Sequence, residues 1–127
     1  MCDKPTPAIS IVDDDESIRE AVEARMKSLG FHARTFPSAG EFLASPGIEH
    51  TSCMIADINM PHMTGVELYG HLVDLGYEIP TFLITAYPND EVRARAMADG
   101  IRCCLVKPFD DEELVRCVRS AQGIDTG

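Results

Sequence analysis

Five side chains that can take part in ionic or hydrogen-bonding chemistry stand at the ends of short apolar segments. The pair Asp13 and Asp14 follows the first segment, and Asp57, Thr85 and Lys107 stand at the ends of three later ones. Three carboxylates held close together repel one another unless a cation compensates them, and their oxygens suit a hard divalent ion, most simply Mg²⁺. A hydroxyl and an ammonium beside them are donors for anionic oxygens. The set therefore favours phosphoryl-transfer chemistry, which depends mainly on positioning and charge stabilisation.

Each of these residues also has a simpler explanation. The acidic residues at 13–16 favour the N-terminus of a following helix through its dipole, and Asp57 alone fits a turn. Thr85 alone fits a strand, and Lys107 alone fits a solvated surface. Their joint placement at strand ends favours the functional interpretation. Pro108 supports it, because a proline drives the preceding Lys107 toward extended geometry.

The elements that must position these residues alternate between strands and helices. Apolar segments predict strands at 8–12, 32–36, 53–56, 81–85 and 103–106;. Capping signals and helical spacing predict five helices: one closed by Gly30, one from Ser38 to near 46–47, one opening on Thr64, one from Asn89 or Asp90 to Asp99, and one opening on Asp110;. The residues expected to face inward in the third helix are Val66, Tyr69, Leu72 and Val73, and those in the fifth are Leu114, Val115, Val118 and Ala121.

Near-continuous apolar strands between amphipathic helices predict a parallel sheet covered on both faces. We predict a three-layer α/β/α domain with five parallel strands in the flavodoxin-like order 2-1-3-4-5. The strand at 32–36 is the most polar, which suits a sheet edge. Right-handed crossovers bring the carboxyl ends of the strands to one edge, where residues distant in the chain can meet. Residues 1–7 are expected to be a flexible leader, 8–122 the folded domain, and 123–127 a tail or the start of a linker.

The composition is that of one soluble domain, with 127 residues, 45% hydrophobic and 25% charged;. A formal net charge of −10 argues against direct binding to nucleic acid or to an anionic membrane surface;. The five cysteines lack metal-ligand spacing and three fall in apolar segments, which is typical of buried thiols in a reducing compartment;. No apolar run reaches membrane-spanning length and no signal-peptide pattern opens the chain, so a cytoplasmic location is expected.

Four short motifs of the chain occur together, in this order and spacing, in a known family. They are Ile-Val-Asp-Asp at 11–14, Asp57 followed by Met-Pro and Thr-Gly, Leu-Ile-Thr-Ala at 83–86, and Val-Lys-Pro-Phe at 106–109. From about Ile9 to Ala121, the chain resembles a receiver domain of the two-component response regulators. The resemblance implies that a sensor histidine kinase or a phosphotransfer protein phosphorylates Asp57. It also implies that Thr85 and Lys107 bind phosphoryl oxygens.

The same resemblance implies a metal site. Asp13, Asp14 and Asp57 would hold Mg²⁺, with the backbone carbonyl of Asn59 as a further ligand, and Mn²⁺ should be able to substitute. Asp15 is an alternative to Asp13 in the acidic pair, but the Val-Asp-Asp register favours Asp13 and Asp14. An aspartyl phosphate made and lost on the domain itself would make the protein a phosphoacceptor rather than an enzyme with an external substrate.

The chain departs from the family pattern at Cys104. The family usually carries an aromatic residue or histidine there, three places before the lysine, and its ring fills space that the threonine hydroxyl vacates. A thiol has far less area than a ring, so an atypical relay from the phosphate to the surface is expected. Tyr87, two residues past Thr85, is one source of the missing ring. An ordinary exposed loop residue is the other interpretation of Tyr87, and the sequence leaves both open.

Two other classes of protein use related folds or sites. A dehalogenase-type phosphohydrolase would use Asp57 as its nucleophile, but it requires a second aspartate where this chain has Asn59, and a cap domain. A flavin-binding redox protein would share the fold, but the acidic loop at 13–16 disfavours a flavin phosphate.

The family's usual output or dimer surface involves the fourth helix, the fifth strand and the fifth helix. Here that surface carries arginines at 95, 102, 116 and 119, which could equally form a solvated face;. The resemblance implies an output domain or partner on this surface, and a monomer or a weak phosphorylation-dependent dimer.

Overall fold

The computed structural model describes residues 8–45, 48–60, 62–87, 89–107 and 110–121. Strands β1 to β5 span Ala8–Val12, His32–Phe36, Thr51–Asp57, Thr81–Thr85 and Cys103–Val106. Helices α1 to α5 span Glu16–Ser28, Ala39–Leu43, Gly65–Asp74, Asp90–Asp99 and Asp111–Ala121, and a short 3₁₀ helix, Ile48–His50, precedes β3. The expected leader at 1–7 and tail at 123–127 lie outside the described residues.

The five strands form one parallel sheet in the order β2-β1-β3-β4-β5, so the predicted order is confirmed. β2 lies at one edge and none of its residues is fully buried, in keeping with its polar composition. The register aligns Val12 with Ala56 and Asp57 with Ile84. Because every strand runs in the same direction, the carboxyl ends of all five strands lie along one edge of the sheet.

Two hydrophobic clusters cover the two faces of the sheet. Successive strand residues point to opposite faces, so each strand contributes to both clusters. One face packs against α1 and α5 through Ile11, Ile55, Ile84, Val22, Met26, Leu114 and Val118. The other face packs against α2, α3 and α4 through Val12, Met54, Leu83, Phe42, Leu72 and Ala96. This arrangement confirms the predicted three-layer α/β/α architecture.

The inward face predicted for α3 was partly wrong. Val73 is 51% exposed, whereas Leu68 and Leu72 are buried. Neighbouring helical residues are rotated by about 100°, so Leu72 and Val73 cannot both face the sheet. The pair Leu68 and Leu72, four positions apart, forms the buried stripe, and Val66 and Tyr69 are half-buried beside it. In α5, the side chain of Ala121 lies outside the described part of the chain.

Strand β3 is longer than predicted at both ends, spanning Thr51–Asp57 instead of 53–56. Its polar start is accommodated because the hydroxyls of Thr51 and Ser10 are hydrogen-bonded at 2.9 Å;. At its other end, Asp57 pairs with Ile84 of β4. The backbone of Asp57 is therefore held by the sheet rather than by a loop, which makes its position well defined.

The structure shows which residue caps α4 and how deeply the described thiols are buried. Asn89, rather than Asp90, caps α4 through hydrogen bonds to its side-chain oxygen. The described cysteine side chains, those of Cys53, Cys104 and Cys117, are thiols, but only Cys53 is fully buried. Burial raises the pKa of Cys53 to about 12, so it is not a nucleophile at neutral pH;. No helix among the described residues combines the length and apolarity needed to cross a membrane.

Candidate functional site

The candidate site residues lie together at the carboxyl edge of the sheet. Asp13 directly follows β1, Asp57 ends β3, Thr85 ends β4 and Lys107 directly follows β5. The Asp13 N–H donates to the Phe36 carbonyl of β2 at 3.1 Å, and the Lys107 N–H donates to the Thr85 carbonyl of β4 at 2.8 Å. Neighbouring strands thus hold the backbone of both residues just beyond their own strand ends.

Three aspartates form an acidic cluster at this edge. In the cluster of Asp13, Asp14 and Asp57, one carboxylate oxygen of each residue lies within 4.8 Å of the others. Asp13 is 1% and Asp57 is 5% exposed, whereas Asp14 is exposed to solvent. Asp15 has a different position, because its carboxylate accepts a hydrogen bond from the Ser17 N–H at 2.9 Å and caps α1. The structure therefore gathers the acidic pair that the sequence favoured.

Lys107 contacts both buried carboxylates of the cluster. Its Nζ lies 3.4 Å from Asp13 Oδ2 and 3.5 Å from Asp57 Oδ2, and its side chain is 18% exposed. Burial alone would lower the pKa of Lys107, but the charges of Asp13 and Asp57 outweigh burial and raise it above its usual value;. The ammonium therefore remains charged at this edge of the sheet.

The Asp13 carboxylate has a raised pKa in the folded domain. Burial raises the pKa of Asp13 to about 6, because water cannot solvate its charged form;. The Asp15 N–H, 2.8 Å from Asp13 Oδ1, lowers this pKa, the charge of Asp57 raises it and Lys107 lowers it. Desolvation and the second carboxylate outweigh the favourable contacts, so a further positive charge would stabilise the cluster.

The Thr85 hydroxyl is hydrogen-bonded on two sides. It donates to Asn59 Oδ1 at 2.8 Å and accepts from the Tyr87 N–H at 3.0 Å. The Asn59 N–H in turn donates to Asp57 Oδ1 at 3.0 Å. The loop after β3 therefore connects the Asp57 carboxylate with the Thr85 hydroxyl. The ligand role implied for the backbone carbonyl of Asn59 stays a prediction.

Two residues that shape the site were not assigned a role from the sequence. Arg19 Nη1 donates to the backbone carbonyl of Asp13 at 2.7 Å and anchors the loop after β1. At Gly65, an added Cβ would lie 2.7 Å from the Asp57 carbonyl oxygen and 3.0 Å from Leu83 Cδ2. Glycine thus lets the start of α3 approach the end of β3 closely. The available sequence signals were a basic residue in the first turn after the acidic run and a glycine directly after the Thr64 cap.

A cavity of about 480 Å³ lies beside Thr85, and Leu105, Val92, Cys104 and Tyr87 are among its lining residues. Tyr87 itself is 73% exposed, so most of its side chain faces solvent in this state. The structure therefore has room beside Thr85 for a larger side chain than that of Cys104. Entry of the Tyr87 ring into this cavity stays a prediction.

The donor set of the acidic cluster fits a hard divalent cation. Mg²⁺ prefers carboxylate and carbonyl oxygens as ligands. Three carboxylates each place one oxygen within 4.8 Å of the others, so this edge offers several hard oxygen ligands in a small space. Because Asp14 is exposed, a hydrated ion can reach the cluster from solvent.

Comparison with known proteins agrees with the fold. The family model of the response regulator receiver domain matches residues 9–119. The chain is 34% identical over 113 residues to the response regulator protein TmoT of Ectopseudomonas mendocina, covering 89% of this chain and 51% of TmoT. It is 32% identical over 113 residues to the transcriptional regulatory protein FixJ of Rhizobium meliloti, covering 89% of this chain and 55% of FixJ. A solved receiver protein from Burkholderia phymatum matches with a TM-score of 0.80 and 36% identity, over 94% of this chain and 98% of that one.

The chain belongs to the receiver domain family of two-component response regulators. It spans about half the length of the curated relatives it matches. Its resemblance to this signalling family is therefore borne out, and its architecture is the one these receivers share. Neither the dehalogenase-type phosphohydrolase nor the flavin-binding protein is favoured by the matches.

Proposed function

We propose that this receiver domain is a switch in which Asp57 accepts a phosphoryl group from the phosphohistidine of a sensor histidine kinase or a phosphotransfer protein. The observation that carries the proposal is the almost fully buried Asp57 carboxylate, which has the Lys107 ammonium at 3.5 Å and two further carboxylates beside it. Phosphoryl transfer requires a positioned oxygen nucleophile and positive charge near the phosphoryl oxygens. The residues at this edge meet both requirements.

In the proposed reaction, an Asp57 carboxylate oxygen attacks phosphorus while the N–P bond of the phosphohistidine breaks. The electron pair of that bond returns to the imidazole nitrogen, and the product is an aspartyl phosphate. Lys107 stays protonated because the neighbouring carboxylates raise its pKa despite burial, so it can bind a phosphoryl oxygen. The Thr85 hydroxyl can donate a second hydrogen bond to the phosphoryl group once it no longer donates to Asn59 Oδ1, its partner in the unphosphorylated domain.

The proposed reaction depends on Mg²⁺, with Mn²⁺ able to substitute. The ligands would be the carboxylates of Asp13, Asp14 and Asp57 and the backbone carbonyl of Asn59. When bound, the ion supplies positive charge to the phosphoryl oxygens in transit. A bound cation would compensate the charge of Asp13, which is 1% exposed and whose pKa burial raises to about 6.

We further propose that the phosphorylated domain acts on an output domain or partner through the surface formed by α4, β5 and α5. Arg95, Arg102 and Arg116 are exposed on these elements and the loop between them, and Val106 of β5 is 45% exposed. The relatives TmoT and FixJ are longer than this chain, and FixJ is a transcriptional regulatory protein. A cytoplasmic monomer, or a weak dimer formed on phosphorylation, is the state we propose for the domain.

Treatment with acetyl phosphate and Mg²⁺, followed by mass spectrometry, tests the assignment of Asp57. Wild type should gain a single labile phosphate, and Asp57→Asn should gain none. Asp74→Asn removes an exposed carboxylate at the end of α3, and this matched control should be labelled like wild type. Undiminished labelling of Asp57→Asn would refute the proposal. Continuous release of phosphate with no acyl phosphate on the protein would instead indicate a phosphohydrolase.

A further inference from the structure

In the unphosphorylated domain, the Thr85 hydroxyl has a partner that competes with its proposed role. Its oxygen accepts from the Tyr87 N–H at 3.0 Å, and its single proton is directed to Asn59 Oδ1 at 2.8 Å;. Asn59 is itself fixed close to the phosphoacceptor, because its N–H donates to Asp57 Oδ1 at 3.0 Å. One residue thus contacts both the carboxylate to be phosphorylated and the hydroxyl that would bind the phosphoryl group.

A hydroxyl carries a single proton, and this proton can form a well-aligned hydrogen bond with only one acceptor at a time. If Thr85 donates to a phosphoryl oxygen on Asp57, it gives up its hydrogen bond to Asn59 Oδ1;. A contact made only in the unphosphorylated conformation stabilises that conformation, and the balance between two states depends on such differences. The Asn59 side chain therefore lowers the population in which the Thr85 hydroxyl is available.

We infer that the Asn59 side chain is a positioning residue that holds the Thr85 hydroxyl in its resting orientation and opposes the phosphorylated conformation. This inference rests on the proposed function, and it concerns a different atom from the Asn59 carbonyl, which a side-chain substitution leaves in place. Asn59 is exposed in a loop, so truncation to alanine removes the bond with little loss of packing.

Binding of beryllofluoride, an analogue of the phosphoryl group, at saturating Mg²⁺ tests the inference. The chain has no tryptophan to report binding by fluorescence, so backbone amide NMR and calorimetry are the readouts. Asn59→Ala should bind beryllofluoride about two- to tenfold more tightly than wild type, the range expected for losing one hydrogen bond of the unliganded state. Without ligand, the amide shifts of Thr85 and Tyr87 in this variant should move toward those of liganded wild type.

A double-mutant cycle with Thr85 separates this role from a merely structural one. Thr85→Ser keeps the hydroxyl proton, so Asn59→Ala should tighten binding in that background by a similar factor. Thr85→Val has no such proton, so Asn59→Ala should change nothing there. Unchanged or weaker binding by Asn59→Ala, or a gain that persists beside Thr85→Val, would overturn the inference. Absence of beryllofluoride binding by wild type, or equal binding by Asp57→Asn, would instead overturn the proposed function.

Discussion

Replacing Asp13 by asparagine should stabilise the domain near neutral pH when divalent cations are absent. The asparagine keeps an oxygen for the Asp15 N–H, which lies 2.8 Å from Asp13 Oδ1, and removes the buried charge. Lys107 retains Asp57 as a partner, with 3.5 Å between Nζ and Oδ2. The substitution therefore changes the electrostatics of the cluster with little change in shape.

The magnitude follows from the pKa of Asp13. Burial raises this pKa from 3.8 to about 6. Since one pKa unit corresponds to about 1.4 kcal/mol, ionising Asp13 costs about 3 kcal/mol more in the folded domain than in the unfolded chain. Because the folded state binds this proton more tightly than the unfolded state does, protonation of Asp13 adds to the free energy of unfolding. This contribution is fully present below about pH 4 and is lost as the pH rises through 6. Roughly 1.5 kcal/mol of the loss falls between pH 5 and pH 7.5. This window also avoids the isoelectric point, about 4.6, where solubility is lowest;.

Urea denaturation in EDTA, followed by circular dichroism at pH 5 and pH 7.5, measures the effect. The stability advantage of Asp13→Asn over wild type should grow by roughly 1.5 kcal/mol between these two pH values. Glu20→Gln removes one exposed negative charge on α1, and this control should show a much smaller pH-dependent difference;. Adding Mg²⁺ at pH 7.5 should stabilise wild type more than Asp13→Asn, because the variant lacks one proposed ligand.

A difference between Asp13→Asn and wild type that does not change with pH would refute this reasoning. It would mean that Lys107 and the Asp15 N–H compensate the burial of Asp13 fully, so that its charge is not a net cost in the metal-free domain.

Three further predictions concern the metal, the packing and the relay. Mg²⁺ should raise the melting temperature of wild type by mass action, and Asp14→Ala should lose most of this response. Asp15→Ala should keep the Mg²⁺-induced rise in melting temperature, although loss of the α1 cap lowers its unfolding free energy by about 1 kcal/mol. If Asp14→Ala keeps the rise and Asp15→Ala loses it, the acidic pair is misassigned. Gly65→Ala should lower the unfolding free energy by about 1–3 kcal/mol, because its Cβ would meet the Asp57 carbonyl oxygen at 2.7 Å; a neutral result in urea denaturation would show that α3 can shift. If the Tyr87 ring enters the cavity beside Cys104 on phosphorylation, Tyr87→Ala should confine the phosphorylation-induced NMR shift changes to the pocket around Asp57. Shift changes in α4 and β5 of Tyr87→Ala that equal those of wild type would exclude this relay.

Local patterns in the sequence determined which elements form and in what order. The Thr64 capping box and the Asn89 cap start helices at the expected places, because their hydrogen bonds join residues two or three positions apart. Continuous apolar segments sufficed for β1 and β4, which are buried on both faces;. Right-handed crossovers between parallel strands then bring Asp13, Asp57 and Lys107 to one edge without any local signal linking them.

The tertiary structure decided which residue of each candidate set takes which role. Asp13 and Asp15 belong to one acidic run, but only Asp13 is held by the edge strand, at the Phe36 carbonyl, while Asp15 caps α1. Leu68 and Val73 are both apolar and lie on one helix, yet packing against the sheet buries the first and exposes the second. In both cases the position of the neighbouring strands and helices fixes the role of the residue.

The bond between Thr85 and Asn59 lay beyond what the sequence could indicate. It joins two side chains 26 positions apart, at the end of one strand and in the loop after another. Periodicity and capping reflect contacts within a few residues, whereas this 2.8 Å contact depends on where β3 and β4 stop relative to each other in the sheet. A shift of one residue in that register would turn the strand side chains to the opposite face and separate the two groups.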